Sequence, residues 1–236
     1  MMLLPLIAVV AQVANIEEFR RPLVQVFEAE WPRNRTVTIV CHGHSVPAGY
    51  FKTPIVQTFD AYPHLLHKAI KNAYPKAVVN VVVTAIGGEN SEEGAKRFSR
   101  DVLNLRPDVV TIDYSLNDRR IGLDKAKVAW EEMIGSAKKS GAKVILLTPS
   151  WDESVKLGDE QDPLYKHAEQ VRELAKKHGV GLADTFGGFS VALKSGTALP
   201  SLMSQSNHPN RAGHELILRE LAPWFGISPA KQEPRP

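Results

Sequence analysis

The sequence predicts an α/β domain built on a parallel sheet. Three observations carry that prediction. Short apolar, β-branched runs alternate with longer segments of helical period, the pattern of successive strand–helix units. The runs are predominantly apolar, as strands buried on both faces require. The 236-residue chain is 43% hydrophobic and 23% charged, an ordinary globular balance that suits one domain with a substantial core.

The N-terminus reads MMLLPLIAVVAQVA from Met1 to Ala14. It is apolar but too short to span a bilayer. Its length fits the core of a signal peptide, and Val9-Val10-Ala11 ends in small residues like a cleavage site, although positive leading residues are missing. Export is therefore the expectation, and an extra helix leading into IEEFRRPLVQVFEAEW is the alternative. Residues 1–35 are read as leader or helix. No other stretch has the length and apolarity of a transmembrane helix.

The expected strands run from Thr36 to Cys41, Ala77 to Ala85, Val109 to Tyr114, Val144 to Thr148 and Gly181 to Asp184. The longer segments of helical period between them include those that begin at Ser91, Leu123 and Asp162. The segment from Asp162 opens with Asp-Pro and stops at Gly179, as capping physics predicts. A last helix is expected from Arg211 to Leu221, closing a domain over 36–226. The remaining residues, 227–236, are polar and Pro-rich and read as a frayed tail.

Bulk properties exclude little but are not silent. The formal charge is only +3 and the basic residues are dispersed, which argues against nucleic-acid binding. The one cysteine, Cys41, forms no intramolecular disulfide and builds no zinc site without other ligand types. Lying in the run TVTIVC, it reads as a buried strand residue rather than a reactive thiol.

Function in parallel α/β sheets collects at the C-terminal ends of the strands. The segments to inspect are HGHSVPAGY, IGGENSEEG, SLNDRR and TPSWDE, with SQSNHPNRAGH before the last helix. Ser45, just past the first strand and beside glycines, can present a nucleophilic hydroxyl and its own backbone N–H. Taken alone it reads first as a helix cap, the commoner fate of such a serine. The G-x-S-x-G elbow is absent, because Pro47 holds the last position. Gly87 and Gly88 can turn an N–H into the cleft, or simply turn the chain. Asn117 can donate a side-chain amide to an oxyanion and Asp118 can brace its loop, though both residue types are common in turns. His208 stands in N-H-P-N, where Pro209 stiffens its approach, and a base must be held within hydrogen-bond reach of its serine. His214 competes with it but falls inside the expected helix.

Together these segments are similar to the four blocks of the SGNH (GDSL-like) hydrolases. G-H-S-V-P-A-G resembles G-D-S-I-T-x-G, I-G-G-E-N-S the glycine block, S-L-N-D the block G-x-N-D, and N-H-P-N-R-A-G-H the block D-x-x-H-P-N-x-x-G-H. The resemblance spans residues 36 to about 224. It implies a three-layer α/β/α, flavodoxin-like fold with a five-stranded parallel sheet, and ester hydrolysis with no metal or other cofactor. Ser45 would be the nucleophile and His208 the base, with the oxyanion held by Ser45, Gly88 and Asn117. Many relatives with H-P-N deacetylate carbohydrates, so a small acyl ester, an acetyl group on a sugar, is the substrate implied.

Three positions depart from the family pattern. His44 replaces the usual Asp before the serine, and Ser115 replaces the glycine of G-x-N-D. Gln205 stands three residues before His208, where the family usually has the Asp that orients the histidine. Either the Gln205 side-chain carbonyl or a backbone carbonyl of that loop would fix the tautomer, while stabilising the imidazolium less than a carboxylate does. A Ser–His dyad is expected, or a triad whose acid comes from elsewhere, with Asp152 the first candidate.

Tyr50, Phe51, Trp151, Arg119 and Arg120 lie in or beside the same loops. They either line a substrate pocket, aromatic faces meeting sugar rings and arginines a carboxylate, or serve packing and solvation. Two rival functions remain. One is a metal-dependent hydrolase using His42 and His44 with Asp113, Asp118 and His208. In an H-x-H pair on a strand both imidazoles would point the same way. The other is a non-catalytic carbohydrate-binding relative.

Overall fold

The structure, a computed structural model, describes residues 12–228. The expected cleavage site, with residues 1–11 of the expected leader, and all but two residues of the expected tail, lie outside that range. The elements in chain order are α1 (Ile16–Glu28), β1 (Thr36–Gly43), α2 (Ser45–Ala48), α3 (Tyr62–Ala73), β2 (Val78–Val83), α4 (Ser91–Asp101), β3 (Val109–Asp113) and α5 (Ser115–Asp118). There follow α6 (Leu123–Lys139), β4 (Lys143–Leu147), α7 (Pro163–His178), β5 (Gly181–Ala183), α8 (Thr185–Lys194), β6 (Met203–Gln205), β7 (His208–Pro209) and α9 (Arg211–Leu221).

Five strands form one parallel sheet in the order β2-β1-β3-β4-β5. This is the flavodoxin-like order, with the switch in strand direction of travel between β1 and β3. Residues of alternating parity along a strand serve opposite faces. Val37, Ile39 and Cys41 pack into one core with Phe19, Leu66, Phe186 and Ile217. Val40, Val110 and Ile112 pack into the other with Phe98, Trp130 and Val171. Helices α1, α3, α8 and α9 thus cover one face, and α4, α6 and part of α7 the other. Cys41 is fully buried, and burial raises its thiol pKa to about 12, so it stays protonated.

Each expected strand is present, displaced by a residue or two at its ends. One expectation needs correction: β2 is not buried on both faces, because it lies at the sheet edge, where Val78 is exposed. Helix α7 is capped as its sequence predicts. Asp162 accepts the Leu164 N–H at 2.7 Å, and Gly179 ends the helix in the left-handed region at φ 60°. Helix α1 belongs to the body of the domain, burying Phe19, Leu23 and Phe27. No helix among the described residues is long and apolar enough to cross a membrane.

Gly94, inside α4, sets how closely that helix approaches β3. A Cβ there would lie 2.3 Å from the ring of Tyr114, a fully buried side chain. The absent side chain also lets the Gly94 carbonyl reach His42 Nε2 at 3.2 Å. Gly94→Ala should therefore destabilise the fold by about 1–2 kcal/mol. Overpacking costs about 1–3 kcal/mol and outweighs the roughly 1 kcal/mol of helix propensity gained. Urea denaturation reads this directly, and an unchanged midpoint would refute the steric argument.

Candidate active site

The C-terminal ends of β1, β2 and β3 and the β6–β7 hairpin converge on Ser45. Its hydroxyl lies at the start of α2, immediately after β1, and is largely buried. The Oγ is 2.9 Å from His208 Nε2. The other ring nitrogen, Nδ1, is 2.8 Å from the backbone carbonyl of Phe51. A carbonyl oxygen only accepts, so Nδ1 carries the proton and Nε2 presents its lone pair to the hydroxyl. Burial lowers the His208 pKa; the Phe51 carbonyl opposes that shift and the neighbouring His44 adds to it. The imidazole is therefore neutral at pH 7 and able to accept a proton.

His44 sits on the other side of the same hydroxyl, with Nδ1 3.5 Å from Ser45 Oγ. That nitrogen accepts the Val46 N–H at 3.2 Å, which places the His44 proton on Nε2. Nε2 faces the buried Asp113 carboxylate at 3.4 Å, outside hydrogen-bond alignment. Asp113 also receives the Tyr62 hydroxyl at 3.4 Å.

The glycine turn and the Asn117 turn are locked to one another. Asn117 Nδ2 donates to the Glu89 carbonyl at 2.8 Å, leaving a second amide hydrogen. Asp118 accepts the Ser91 N–H and the Trp130 indole N–H, each at 2.7 Å. Burial raises the Asp118 pKa, and these two donors oppose the shift. Gly88 takes φ 84°, a left-handed conformation that favours glycine, and Arg120 donates to its carbonyl. Beneath the turn, Arg97 grips the Glu89 carboxylate and donates to the Thr84 carbonyl at 2.6 Å. Tyr114 joins Arg97 to His42 through contacts of 3.1 Å on each side. Among the described residues, neither the Ser45 nor the Gly88 N–H has a backbone acceptor.

Several sequence expectations change here. Asp152 does not orient His208. It binds Arg119 Nη2 at 2.6 Å and both the N–H and hydroxyl of Ser154, at 2.9 and 2.7 Å. Burial opposes its ionisation, but those bonds outweigh it and leave its pKa lowered. Gln205 does not touch His208 Nδ1 either, since its Oε1 accepts the Thr53 N–H at 2.8 Å. The carbonyl on Nδ1 comes from a loop 157 residues away in sequence rather than from the histidine's own loop. Trp151 is no pocket wall: it is 0% exposed and stacks on Phe186 at 4.8 Å. Arg119 is committed to Asp152 and the Leu116 carbonyl. Tyr50 does stand beside the site, its ring 6.0 Å from that of His208 and packed over Gly87.

His42 and His44 do not form a paired metal site. His42 is engaged by Thr84 at 2.8 Å, the Gly94 carbonyl and Tyr114, and burial pushes its pKa down to about 3. Among the described residues no group of three or more His, Cys, Asp or Glu side chains is placed to hold a metal ion. His214 is buried, accepts the Tyr62 N–H at 3.2 Å and stacks on Phe51, remote from the role of base.

A serine–imidazole pair buried at the C-terminal edge of a flavodoxin-like sheet is an arrangement able to carry out nucleophilic acyl chemistry. The comparisons place it more narrowly. Residues 41–216 match the model of the GDSL-like lipase/acylhydrolase family, and the chain belongs to that family; it is a carboxylic ester hydrolase. It is 26% identical over 175 residues to an acetylxylan esterase of Geobacillus stearothermophilus, spanning 67% of this chain and 77% of that protein. A crystal structure of the G. stearothermophilus acetylxylan esterase Axe2 superposes with a TM-score of 0.71 at 22% identity, covering 84% of this chain and 97% of that one. LAE5, an α/β-hydrolase enzyme from the metagenome of Lake Arreo, Spain, gives a TM-score of 0.70 at 21% identity, over 85% and 98% of the respective chains.

The Asp118 brace is testable without substrate. Asp118→Asn keeps one acceptor but turns an NH₂ toward either Ser91 N–H or Trp130 N–H. It should cost about 1–3 kcal/mol, the penalty of a buried unsatisfied donor. Equilibrium denaturation that shows no loss would mean that the brace contributes nothing.

Proposed function

We propose that the chain is a serine esterase that removes a small acyl group, acetyl in the first instance, from a carbohydrate ester. The observation that carries the mechanism is the 2.9 Å contact between Ser45 Oγ and His208 Nε2, with the far nitrogen held by a carbonyl. The acetylxylan esterase similarity supports the acyl group and the sugar.

In this reading Ser45 Oγ attacks the ester carbonyl carbon while its proton passes to His208 Nε2. The Ser45 and Gly88 N–H groups and the free hydrogen of the Asn117 amide stabilise the tetrahedral oxyanion. One such donor is worth about 2.7–4 kcal/mol in comparable sites. The intermediate collapses as His208 returns the proton to the departing alcohol oxygen, leaving acyl-Ser45. Water then enters, gives a proton to His208 and attacks the acyl carbon; a second collapse releases the acid and restores the serine. No step needs a metal. The imidazolium formed in each half-reaction leans on a neutral carbonyl, which stabilises it less than a carboxylate would.

Hydrolysis of p-nitrophenyl acetate in EDTA tests the assignment. Wild type should turn over, and Ser45→Ala should lose at least about 10³-fold in kcat while melting like wild type. Retained turnover in the mutant would end the Ser45 assignment. Acetylated xylooligosaccharides should then be better substrates than longer acyl esters of the same sugars.

The pH profile supplies a separate check. The base works only when neutral, and the folded-state pKa of His208 is lowered, by burial first. Activity should thus be full above the ordinary histidine range and persist through it. It should fall only as pH drops below about 6.5, the unperturbed value. An acid limb of kcat/KM centred above that value would contradict the neutral, carbonyl-held imidazole.

A further inference from the structure

We infer that Gln205 is a positioning residue that acts on His208 through the loop bearing the Phe51 carbonyl. The inference rests on the Ser45–His208 reading and assigns a role to the position where the family pattern usually has an acid.

The hairpin β6–β7 sets Gln205 opposite His208, its two residues paired across an antiparallel ladder. Both reach the same segment of chain. His208 Nδ1 donates to the Phe51 carbonyl at 2.8 Å, and two residues on, Thr53 N–H donates to Gln205 Oε1 at 2.8 Å. The four residues make a closed ring: hairpin, imidazole, loop, amide and back to the hairpin. The tie from Gln205 joins the loop to the hairpin strand opposite the imidazole.

The loop has need of such a tie. Residues 52–59 are exposed, so little apolar burial holds them. Their internal order comes from short-range bonds. Phe51 N–H donates to the Ile55 carbonyl at 3.0 Å, Ile55 N–H to the Lys52 carbonyl at 2.8 Å, and Gln57 N–H to the Gly49 carbonyl at 2.8 Å. These bonds shape the loop but do not set it against the hairpin. The Phe51 ring, stacked on buried His214 at 5.4 Å, anchors one end. Gln205 anchors the tip side, on the far side of the carbonyl that matters.

The chemistry accounts for an amide at this position. A carboxylate directly on Nδ1 would provide both orientation and charge. Here orientation is divided between two residues: Phe51 supplies the acceptor oxygen, and Gln205 holds that oxygen in line. A neutral acceptor suffices for Thr53 N–H, and the charge of an acid is not needed for that bond. The test therefore removes the acceptor without changing size, and then restores an acceptor in a different group.

The experiment compares the full chain as wild type, Gln205→Met and Gln205→Glu, with Ser45→Ala as control. Gln205 is only partly buried, so Met should fold. Two quantities are read: kcat and KM on p-nitrophenyl acetate, and amide hydrogen exchange over residues 50–57. Gln205→Met should lower kcat about ten-fold, the loss of one ordering hydrogen bond, with KM within about two-fold of wild type. Exchange should quicken over 50–57 and not elsewhere. Gln205→Glu, which keeps an oxygen at the same reach, should recover kcat to within about three-fold of wild type. The inference is overturned if Gln205→Met retains wild-type kcat. It is also overturned if kcat falls with loop exchange unchanged, or if Glu is as impaired as Met. Turnover by Ser45→Ala would instead bring down the dyad reading itself, whatever happens at 205.

Discussion

A single hydrogen bond, from the His208 imidazole to the Phe51 carbonyl, joins segments 157 residues apart and decides what the site can do. Because the acceptor is a carbonyl, the ring has one tautomer, and the basic nitrogen faces Ser45. Everything around it serves that alignment. The β1 terminus delivers the hydroxyl, α9 supplies the His214 ring under Phe51, and the β6–β7 hairpin carries both the imidazole and the amide that steadies the loop. The bond is uncharged at both ends in the resting state. It gives direction to the imidazole at little desolvation cost, in a place where an ion pair would have to overcome burial.

The opposite wall is organised by charge. Arg97 and Glu89 are nearly buried and paired, with Tyr114 and His42 completing the network. Their effect on the site is indirect: they immobilise the Glu89 backbone, whose carbonyl takes one hydrogen of the Asn117 amide. Asp118 ties the same turn to the start of α4. Donors held this way need little reorganisation as negative charge develops, which is the condition for electrostatic stabilisation of an oxyanion. The site thus pairs a rigid, ion-braced donor wall with an imidazole carried on a hairpin and held by an exposed loop.

His44 replaces an acid in the family pattern, and the structure gives it a partner of its own. Its two nitrogens lie between the start of α2 and Asp113, so the carboxylate missing beside His208 has a counterpart behind the neighbouring imidazole. The arrangement turns the His44 Nδ1 lone pair to a backbone N–H. It is a second nitrogen acceptor near the Ser45 hydroxyl, but a more distant one than His208.

The sequence alone determined the strands of the sheet, because short, mostly apolar, β-branched runs are most stable as strands packed under helices, although β2 proved to be an exposed edge. It also determined that Ser45, Gly88, Asn117 and His208 stand at strand ends or before the last helix. It missed α3 and α8. The first opens without a side-chain cap, and the second, TFGGFSVALK, carries two glycines of poor helix propensity; packing of Leu66, Phe186 and Phe189 overrides both. Only tertiary structure decided who orients His208. Every residue has a carbonyl, so no residue type at position 51 announces the role, and nothing in SQSN signals that Gln205 grips Thr53 instead of the imidazole. It also decided the fates of Asp152, claimed by Arg119 and Ser154, and of Trp151, drawn into the core by Phe186. Periodicity encodes which face a side chain takes, whereas a hydrogen-bond partner across 150 residues is set by how loops meet.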